Sequence, residues 1–409
     1  MGGRSIGSKE FFKLNTKLDS FIKKLFIVGF LGLIISLGLA FIGGGHHGDG
    51  HAHGHPFFFS YITSFMFYLT ISLGAMFIVL IHHITRSGWS VMLRRIPEGL
   101  MKNVSLLFLF SIPIMFGLDD LYHWAHEGAA LHDHLLKVKE PFLNIPFFVI
   151  RLFIYFFLWR WIANKFFFGS VEQDETGDES ITFALQRRST YSLIIFAFTL
   201  TFAAVDLLMS ITPHWYSTIF GVYIFAGATV GAYCLVSVIL LFLRSRGFLA
   251  DVVTHEHYHD QGKLIYGFNI FWTYIAFSQF FLIWYANIPE ETLFYVNHFH
   301  GNWNTVAIIL SIGHFVIPFI FLMSRHVKRN LTLHLLFAVW LLAMHFLDLY
   351  WIVMPNIFPE GIHVTLLDVS IFIGIGGIFL GVFFKRLKNY YLVPIKDPRL
   401  SESLNFENF

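Results

Sequence analysis

The feature that most constrains this chain is a series of ten apolar segments of about 20 residues each. They lie near residues 25–42, 57–82, 100–118, 145–168, 190–210, 217–243, 263–285, 303–323, 331–353 and 365–384. A helix needs about 20 residues to cross about 30 Å of hydrocarbon. The segments are apolar on all faces, whereas strands of a membrane barrel alternate every second residue. The pattern predicts an all-α integral membrane protein with ten transmembrane helices.

The composition excludes most other classes of protein. Of the 409 residues, 56% are hydrophobic and only 13% are charged, whereas a soluble domain carries about a quarter charged residues. This excludes a soluble or disordered chain and a nucleic-acid-binding protein. The single cysteine, Cys234, cannot form an internal disulfide, an iron–sulfur cluster or a CxxCH haem attachment. The sequence also has no P-loop motif.

The distribution of positive charge predicts the orientation. If the N-terminus lies inside, 24 of the 28 Lys and Arg residues fall in cytoplasmic segments. The outer loops then hold only Lys137 and Lys139, while Arg151 and Arg160 lie within the fourth apolar segment. Because cytoplasmic loops are enriched in Lys and Arg, both termini are expected in the cytoplasm. The first apolar segment also has the flanks of a cleaved signal peptide, although its apolar core is long for one.

Two windows of the sequence suggest an internal repeat. Ser60–Gly74 and Ser217–Gly231 share a Ser-to-Gly spacing, and the fifth and ninth segments both end in Asp-Leu-x5-Pro, at Asp206 and Asp348. Segments 2–5 and 6–9 are therefore interpreted as two four-helix bundles related by a parallel repeat; the alternative is chance similarity between aromatic-rich helices. The predicted divisions are 1–56 (tail, first helix and His-rich outer loop), 57–210 and 211–353 (the two bundles), and 354–409 (tenth helix and cytoplasmic tail).

Four longer motifs carry a family resemblance. HWYSTIFGVYIFAG, AFSQFFLIWYANIPEE, GHFVIPFIFLMSRHVKRN and MHFLDLYWIVMP begin at His214, Ala276, Gly313 and Met344. They resemble the ActF subunit (quinone-binding subunit 2) of bacterial alternative complex III, a respiratory quinol:cytochrome c oxidoreductase. That subunit is similar to the NrfD/polysulfide-reductase membrane anchors, which have paired four-helix bundles. The resemblance covers the segments from Phe57 to Lys388 and leaves out the His-rich loop and both tails.

The resemblance implies a bacterial inner-membrane complex and a set of partners. These are an NrfD-like paralogous membrane subunit, a periplasmic iron–sulfur/molybdopterin-like subunit, cytochrome c subunits, the lipid bilayer and, as a further candidate, a terminal oxidase. In such complexes the paralogue is the better candidate for quinol oxidation. The expectation is therefore a scaffolding and proton-conducting subunit without its own redox centre, not catalytic by itself. The alternatives are a subunit with its own quinol site in the outer half of a bundle, and an independent secondary transporter.

Polar residues inside apolar segments are candidates for function because they are costly to bury in lipid. Arg151 and Asp206 lie at similar depth on adjacent segments, so a direct contact between them is predicted. His345 and Asp348 are three residues apart and share a helix face. His314 precedes Pro318 by four residues, so its carbonyl loses its helical donor and the helix is expected to kink. The proton-path candidates are Asp348, His345, His314, Asp206, Arg151, Asp119, Asp120, Gln279 and Glu256.

Two histidine patterns in the sequence are candidates for a metal or haem site. The Gly-rich loop near residues 43–56 contains His46, His47, His51, His53 and His55, and imidazoles bind zinc, nickel and copper. A flexible loop is not preorganised and lacks fixed zinc spacings, so adventitious binding is favoured. A haem would need two imidazoles at matching depth, and those of His314 and His345 differ by about 6 Å. No metal site, haem or other redox centre is therefore expected, and quinol and lipids remain the candidate small molecules.

Overall fold

The computed structural model of the chain describes residues 13–14, 18–43 and 54–408, with the side chain of residue 132 excepted. These residues form helices joined by turns, with one isolated antiparallel bridge between Lys13 and Tyr391 and no β-strand in the described part. The predicted all-α class is confirmed.

Ten long helices make up most of the described chain. They are α1 (Asp19–Gly43), α2 (Pro56–Ile84), α3 (Val91–Phe116), α4 (Ile145–Thr176), α5 (Ser180–Leu207), α6 (Phe220–Ser245), α7 (His255–Ala286), α8 (Trp303–Met323), α9 (Leu331–Val353) and α10 (Leu366–Leu387). Shorter helical pieces are Leu118–Leu121, His123–Ala125, Ala129–His132, His134–Lys139, Met209–Ile211, Pro289–His298, Arg325–Arg329, Met354–Asn356 and Leu400–Leu404. Within α3, short breaks separate Val91–Met101, Val104–Phe110 and Ile112–Phe116.

Nine helices in the described ranges are long and apolar enough to cross a membrane, namely all of these except α7. With 32 residues, α7 is long enough as well, but its first turns carry polar residues such as His255, Glu256 and Asp260. The chain is therefore a multi-pass membrane protein.

Helices α2 and α6 form the centre of the molecule. Both are buried over almost their whole length, and they pack closely because Gly74 has no side chain. A Cβ atom at Gly74 would overlap the Ala228 carbonyl oxygen of α6. Small residues allow such close approach of membrane helices, whose association gains nothing from hiding apolar surface from lipid.

The other helices surround this pair. Helix α2 contacts α3 and α5, and α4 contacts the same two helices. Helix α6 contacts α7 and α9, and α8 contacts those two in turn. Helix α1 packs mainly against α10, apart from helices α2–α5 and α6–α9.

One end of the helices, here called the basic end, contains Arg94, Arg95, Arg329 and Lys388. The last of these pairs with Asp19, with the lysine Nζ 2.6 Å from Oδ1. Residues 389–408 fold over this end. Arg94 is paired with Asp397 of this segment, and the Ser403 hydroxyl donates to the Trp89 carbonyl oxygen at 2.6 Å.

The contact between α1 and α10 gives the first prediction. A Cβ atom at Gly32 would lie 2.8 Å from the Gly374 Cα and the Ser370 carbonyl oxygen, whereas one at Gly38 would have no neighbour within 4 Å. Gly32→Leu should therefore lower stability by about 1–3 kcal/mol through overpacking, and Gly38→Leu should not. Thermal unfolding of the two variants in detergent measures the difference; equal midpoints would show that α1 does not dock through its glycines.

Candidate functional site

The fifth helix ends in a buried ion pair. Arg151 of α4 donates to both carboxylate oxygens of Asp206, from Nε at 2.9 Å and from Nη2 at 2.8 Å. Its Nη1 donates to the Phe142 carbonyl oxygen at 2.8 Å, and the Tyr155 hydroxyl donates to Asp206 at 2.8 Å. The predicted contact between Arg151 and Asp206 is confirmed. Bidentate geometry fixes the guanidinium plane as well as neutralising the charge.

The ninth helix carries the corresponding aspartate without such a cation. Asp348 is 2% exposed and accepts hydrogen bonds from two neutral groups, the Tyr223 hydroxyl of α6 and the indole Nε1 of Trp272 on α7, the latter at 3.2 Å. No Lys or Arg of the described chain lies within ion-pair distance of it. A buried carboxyl group with only neutral partners is free to exchange a proton or to bind a hydroxyl of a ligand.

His314 contacts Trp272, which donates to Asp348, from a π-helical turn, Ser311–Val316 of α8. The turn places the imidazole flat against the Trp272 indole, with ring centroids 3.7 Å apart. Pro318 leaves the His314 carbonyl oxygen without its helical donor. This oxygen accepts a hydrogen bond from Asn269 Nδ2 of α7 at 2.9 Å, so a neighbouring helix supplies the missing donor. π-Helical turns are frequent at functional sites.

His345 faces the centre of the molecule. Its Nε2 lies 2.9 Å from the Thr70 hydroxyl of α2, so it joins α9 to α2 across α6. Gly227 and Gly231 of α6 make room for the ring, because a Cβ atom at Gly231 would lie 2.9 Å from the His345 Cδ2. Sequence reasoning missed this contact, although the Gly-x-x-x-Gly spacing in an apolar helix is a known signal of close packing.

A cavity of about 780 Å³ opens beside Asp348, between α6, α7, α8 and α9. The helix Pro289–His298 covers it at the end opposite the basic end, and its wall includes the aromatic residues Tyr223, Trp272, Phe280 and Tyr295. Tyr274 and Phe277, which also line it, are 64% and 59% exposed, so the cavity opens laterally towards the membrane.

Gln279 is the second polar group of the cavity wall. Its side-chain oxygen accepts from the Ser217 hydroxyl at 2.9 Å, and its Nε2 donates to the Tyr295 hydroxyl at 3.1 Å. Together with Asp348 it provides a few polar groups in a mostly apolar wall, as is usual for sites that bind small amphipathic molecules. Tyr223, Trp272 and Tyr295 were not singled out in the sequence because aromatic residues are common in every helix of this chain.

The remaining sequence candidates lie apart from the cavity. Asp120 accepts from the His55 backbone N–H at 2.8 Å, and Asp119 is its neighbour in the helix Leu118–Leu121. Glu256 is paired with Arg329 at the basic end. None of these three contacts the groups around Asp348.

The His-rich loop is only partly described. His55 accepts from the Phe57 backbone N–H through Nδ1 at 3.1 Å and so caps α2; the other four candidates, His46, His47, His51 and His53, lie outside the described residues. Within residues 54–408 and the described parts of α1, no group of three or more His, Cys, Asp or Glu side chains is arranged to hold a metal ion.

Two contacts connect the loop before α4 with the loop before α6. His214 pairs with the Asp133 carboxylate, and Lys139 Nζ donates to the Pro213 carbonyl oxygen at 2.5 Å. The hydrogen bond from His214 is the main reason why the pKa of Asp133 is lowered. These contacts join the two loops at the end of the protein where the cavity lies.

The fold and this site define a multi-pass, all-α membrane protein with a lateral, amphipathic cavity. Neither the models of known protein families nor the curated protein sequences contain a match to this chain.

The two aspartates give the second prediction. Asp206→Asn leaves the Arg151 guanidinium buried without its counter-ion and should cost about 3–5 kcal/mol. Asp348→Asn removes no ion pair and should cost about 1 kcal/mol, the value of a weakened hydrogen bond. Thermal unfolding in detergent compares them.

A double substitution is the control for this prediction. Replacing both Arg151 and Asp206 by Leu removes both charges and should be less destabilising than Asp206→Asn alone. If Asp206→Asn and Asp348→Asn were equally destabilising, the ion pair would not account for the difference between the two sites.

Proposed function

We propose that this protein is an integral membrane subunit of a respiratory quinol:cytochrome c oxidoreductase of the alternative complex III type, in a bacterial inner membrane. It scaffolds the assembly, conducts protons and carries no redox centre of its own. Its partners are an NrfD-like membrane paralogue, a periplasmic iron–sulfur/molybdopterin-like subunit, cytochrome c subunits and a terminal oxidase. The motifs from His214 to Pro355 support this assignment.

In this proposal the chain crosses the membrane ten times, with both termini in the cytoplasm. The count adds α7 to the nine apolar helices, because α7 packs between α6 and α8. The contacts between helices support two four-helix bundles, α2–α5 and α6–α9. Within each set, every helix contacts the next one along the chain, and the last contacts the first. The bundles are related by a parallel repeat, in which α2 corresponds to α6 and α5 to α9.

The observation that carries the proton-conducting role is the difference between the two equivalent aspartates. Asp206 is neutralised by Arg151, which makes it a structural group. Asp348 has only hydroxyl and indole donors, so a change in its protonation need not break an ion pair. His314 and His345 lie within the same group of helices, and neutral imidazoles can accept and release protons.

A second function, favoured by the cavity, is binding of quinol by this subunit itself. A quinol has an aromatic head with two hydroxyl groups and an apolar tail. The aromatic wall, the Asp348 carboxyl group and the Gln279 amide match the head, and the lateral opening near Tyr274 suits entry from the bilayer. On this reading Asp348 would accept the hydroxyl proton of the bound quinol.

The experiment that tests the proposal uses the reconstituted complex with Asp348→Asn. Quinol:cytochrome c turnover and proton release are measured together. Proton conduction predicts a lower proton-to-electron ratio with turnover largely kept, whereas a quinol site here predicts lower turnover with an unchanged ratio. The matched control is Asp251→Asn, the same change at an exposed residue outside the cavity.

Two results would contradict the proposal. If the Asp348→Asn complex matched the wild type in both measurements, Asp348 would be structural and the subunit a scaffold only. If the tagged native chain purified without haem-containing partners and without a haem absorption spectrum, it would not belong to a cytochrome c-reducing complex, and an independent transporter would be favoured.

A further inference from the structure

Three cations lie within apolar helices and have no acidic partner among the residues that the structure describes. They are Lys102 of α3, Arg160 of α4 and Arg386 of α10. Arg386 and Arg160 are close enough to the Lys102 ammonium to repel it. None of the three forms an ion pair with a carboxylate of the described chain. The structure thus brings three like charges together at a place where charge is costly.

The fully buried cations of α3 and α4 have carboxylate partners. Arg94 and Arg95 pair with Asp397 and Asp174, and Arg151 pairs with Asp206. By contrast, the contact of the Lys102 Nζ within the described ranges is the face of the Phe168 ring, 4.5 Å from its centroid. Cation–π contact is worth less than an ion pair in a desolvated site, so the Lys102 charge is incompletely compensated by the protein.

The geometry of Arg386 leaves part of its guanidinium available. Its Nη1 donates to the Gly99 carbonyl oxygen at 3.0 Å and to Asn103 Oδ1 at 2.9 Å, which holds the group beside the α3 turn that contains Lys102. No hydrogen bond of the described chain involves its Nε or Nη2, and neither atom is a buried, unpartnered atom. These N–H groups are therefore at least partly accessible from outside the protein.

Helix-end effects explain Arg386 alone. It lies in the last turn of α10, where the helix dipole favours a cation. Arg160 lies in the middle of the 32-residue α4 and is exposed, and Lys102 lies at a break within α3. An external anion accounts for all three positions together.

We propose that Lys102, Arg160 and Arg386 bind the phosphate group of an anionic phospholipid. Phosphate accepts several charge-assisted hydrogen bonds, and the planar guanidinium groups can donate to it in pairs. Basic sites between transmembrane helices on the cytoplasmic side bind the headgroups of such lipids. Arg160 is exposed on the side of α4, and Arg386 lies in the last turn of α10 at the end expected to face the cytoplasm. Both positions fit a lipid approaching from the inner leaflet. A lipid with two phosphates matches the three charges best.

Native mass spectrometry of the full chain, with any subunits that accompany it, tests the proposal. The protein is delipidated in detergent and titrated separately with cardiolipin, phosphatidylcholine and inorganic phosphate. Cardiolipin should bind the wild type, and the combination of Lys102→Gln and Arg160→Gln should weaken it about tenfold or more, since each cation removed weakens attraction to anionic lipid. The control combines Lys165→Gln with Arg187→Gln, both exposed cations, and should bind as the wild type does.

The outcomes separate the two sources of phosphate. Equal cardiolipin binding by the double variant and the control would overturn the proposal, as would equal binding of phosphatidylcholine and cardiolipin. Displacement of cardiolipin by inorganic phosphate at a similar concentration would assign the site to a free anion and overturn the lipid assignment. If the double variant fails to fold, Arg160→Gln alone, at an exposed position, should still weaken cardiolipin binding, and unchanged binding would overturn the proposal.

Discussion

The close packing of α2 against α6 at Gly74 is the contact on which the rest of the structure depends. It joins helices from the two halves of the chain, and every other long helix except α1, α4 and α8 has extensive contact with one of them. In a bilayer this contact cannot be driven by exclusion of water from apolar surface, so it relies on close backbone approach. Gly227 and Gly231 extend the same principle, because the space they leave on α6 is filled by His345.

The second constraint is that polar groups inside the helices need partners within the protein or from its surroundings. The backbone example is the π-helical turn of α8, where Asn269 and Trp340 donate to the carbonyl oxygens of His314 and Gly313, at 2.9 Å and 2.7 Å. The charged example is the Arg151–Asp206 pair. In both cases a neighbouring helix supplies the missing group, so the polar contacts also fix how the helices are rotated against one another.

Asp348 and the three cations Lys102, Arg160 and Arg386 have no oppositely charged partner in the described part of the chain, and function is proposed at both places for that reason. Asp348 faces a cavity and is held by neutral donors, which leaves its charge state adjustable. Of the three cations, Arg160 is exposed and Lys102 and Arg386 are half-buried, so in the proposal their positive charge is left for an outside anion. A fully paired group such as Asp206 offers neither possibility, because removing or protonating it leaves an unpaired charge in a buried site.

The sequence alone determined the class of the protein, the approximate position of each long helix and the Arg151–Asp206 contact. Hydropathy and Pro positions are local properties, and the ion pair joins adjacent helices at similar depth, so no tertiary information was needed. The proton-path role of the nine candidate residues stays a prediction.

Only the tertiary structure decided that Tyr223 and Trp272 bind Asp348, since Trp272 is 76 residues away along the chain. It alone also decided that a cavity lies beside them and that Arg386 meets the α3 turn of Lys102 through Asn103, 283 residues away. Such contacts between distant residues depend on how the packed helices are rotated and how they cross. Both are set by the shapes of many side chains at once and not by any local pattern.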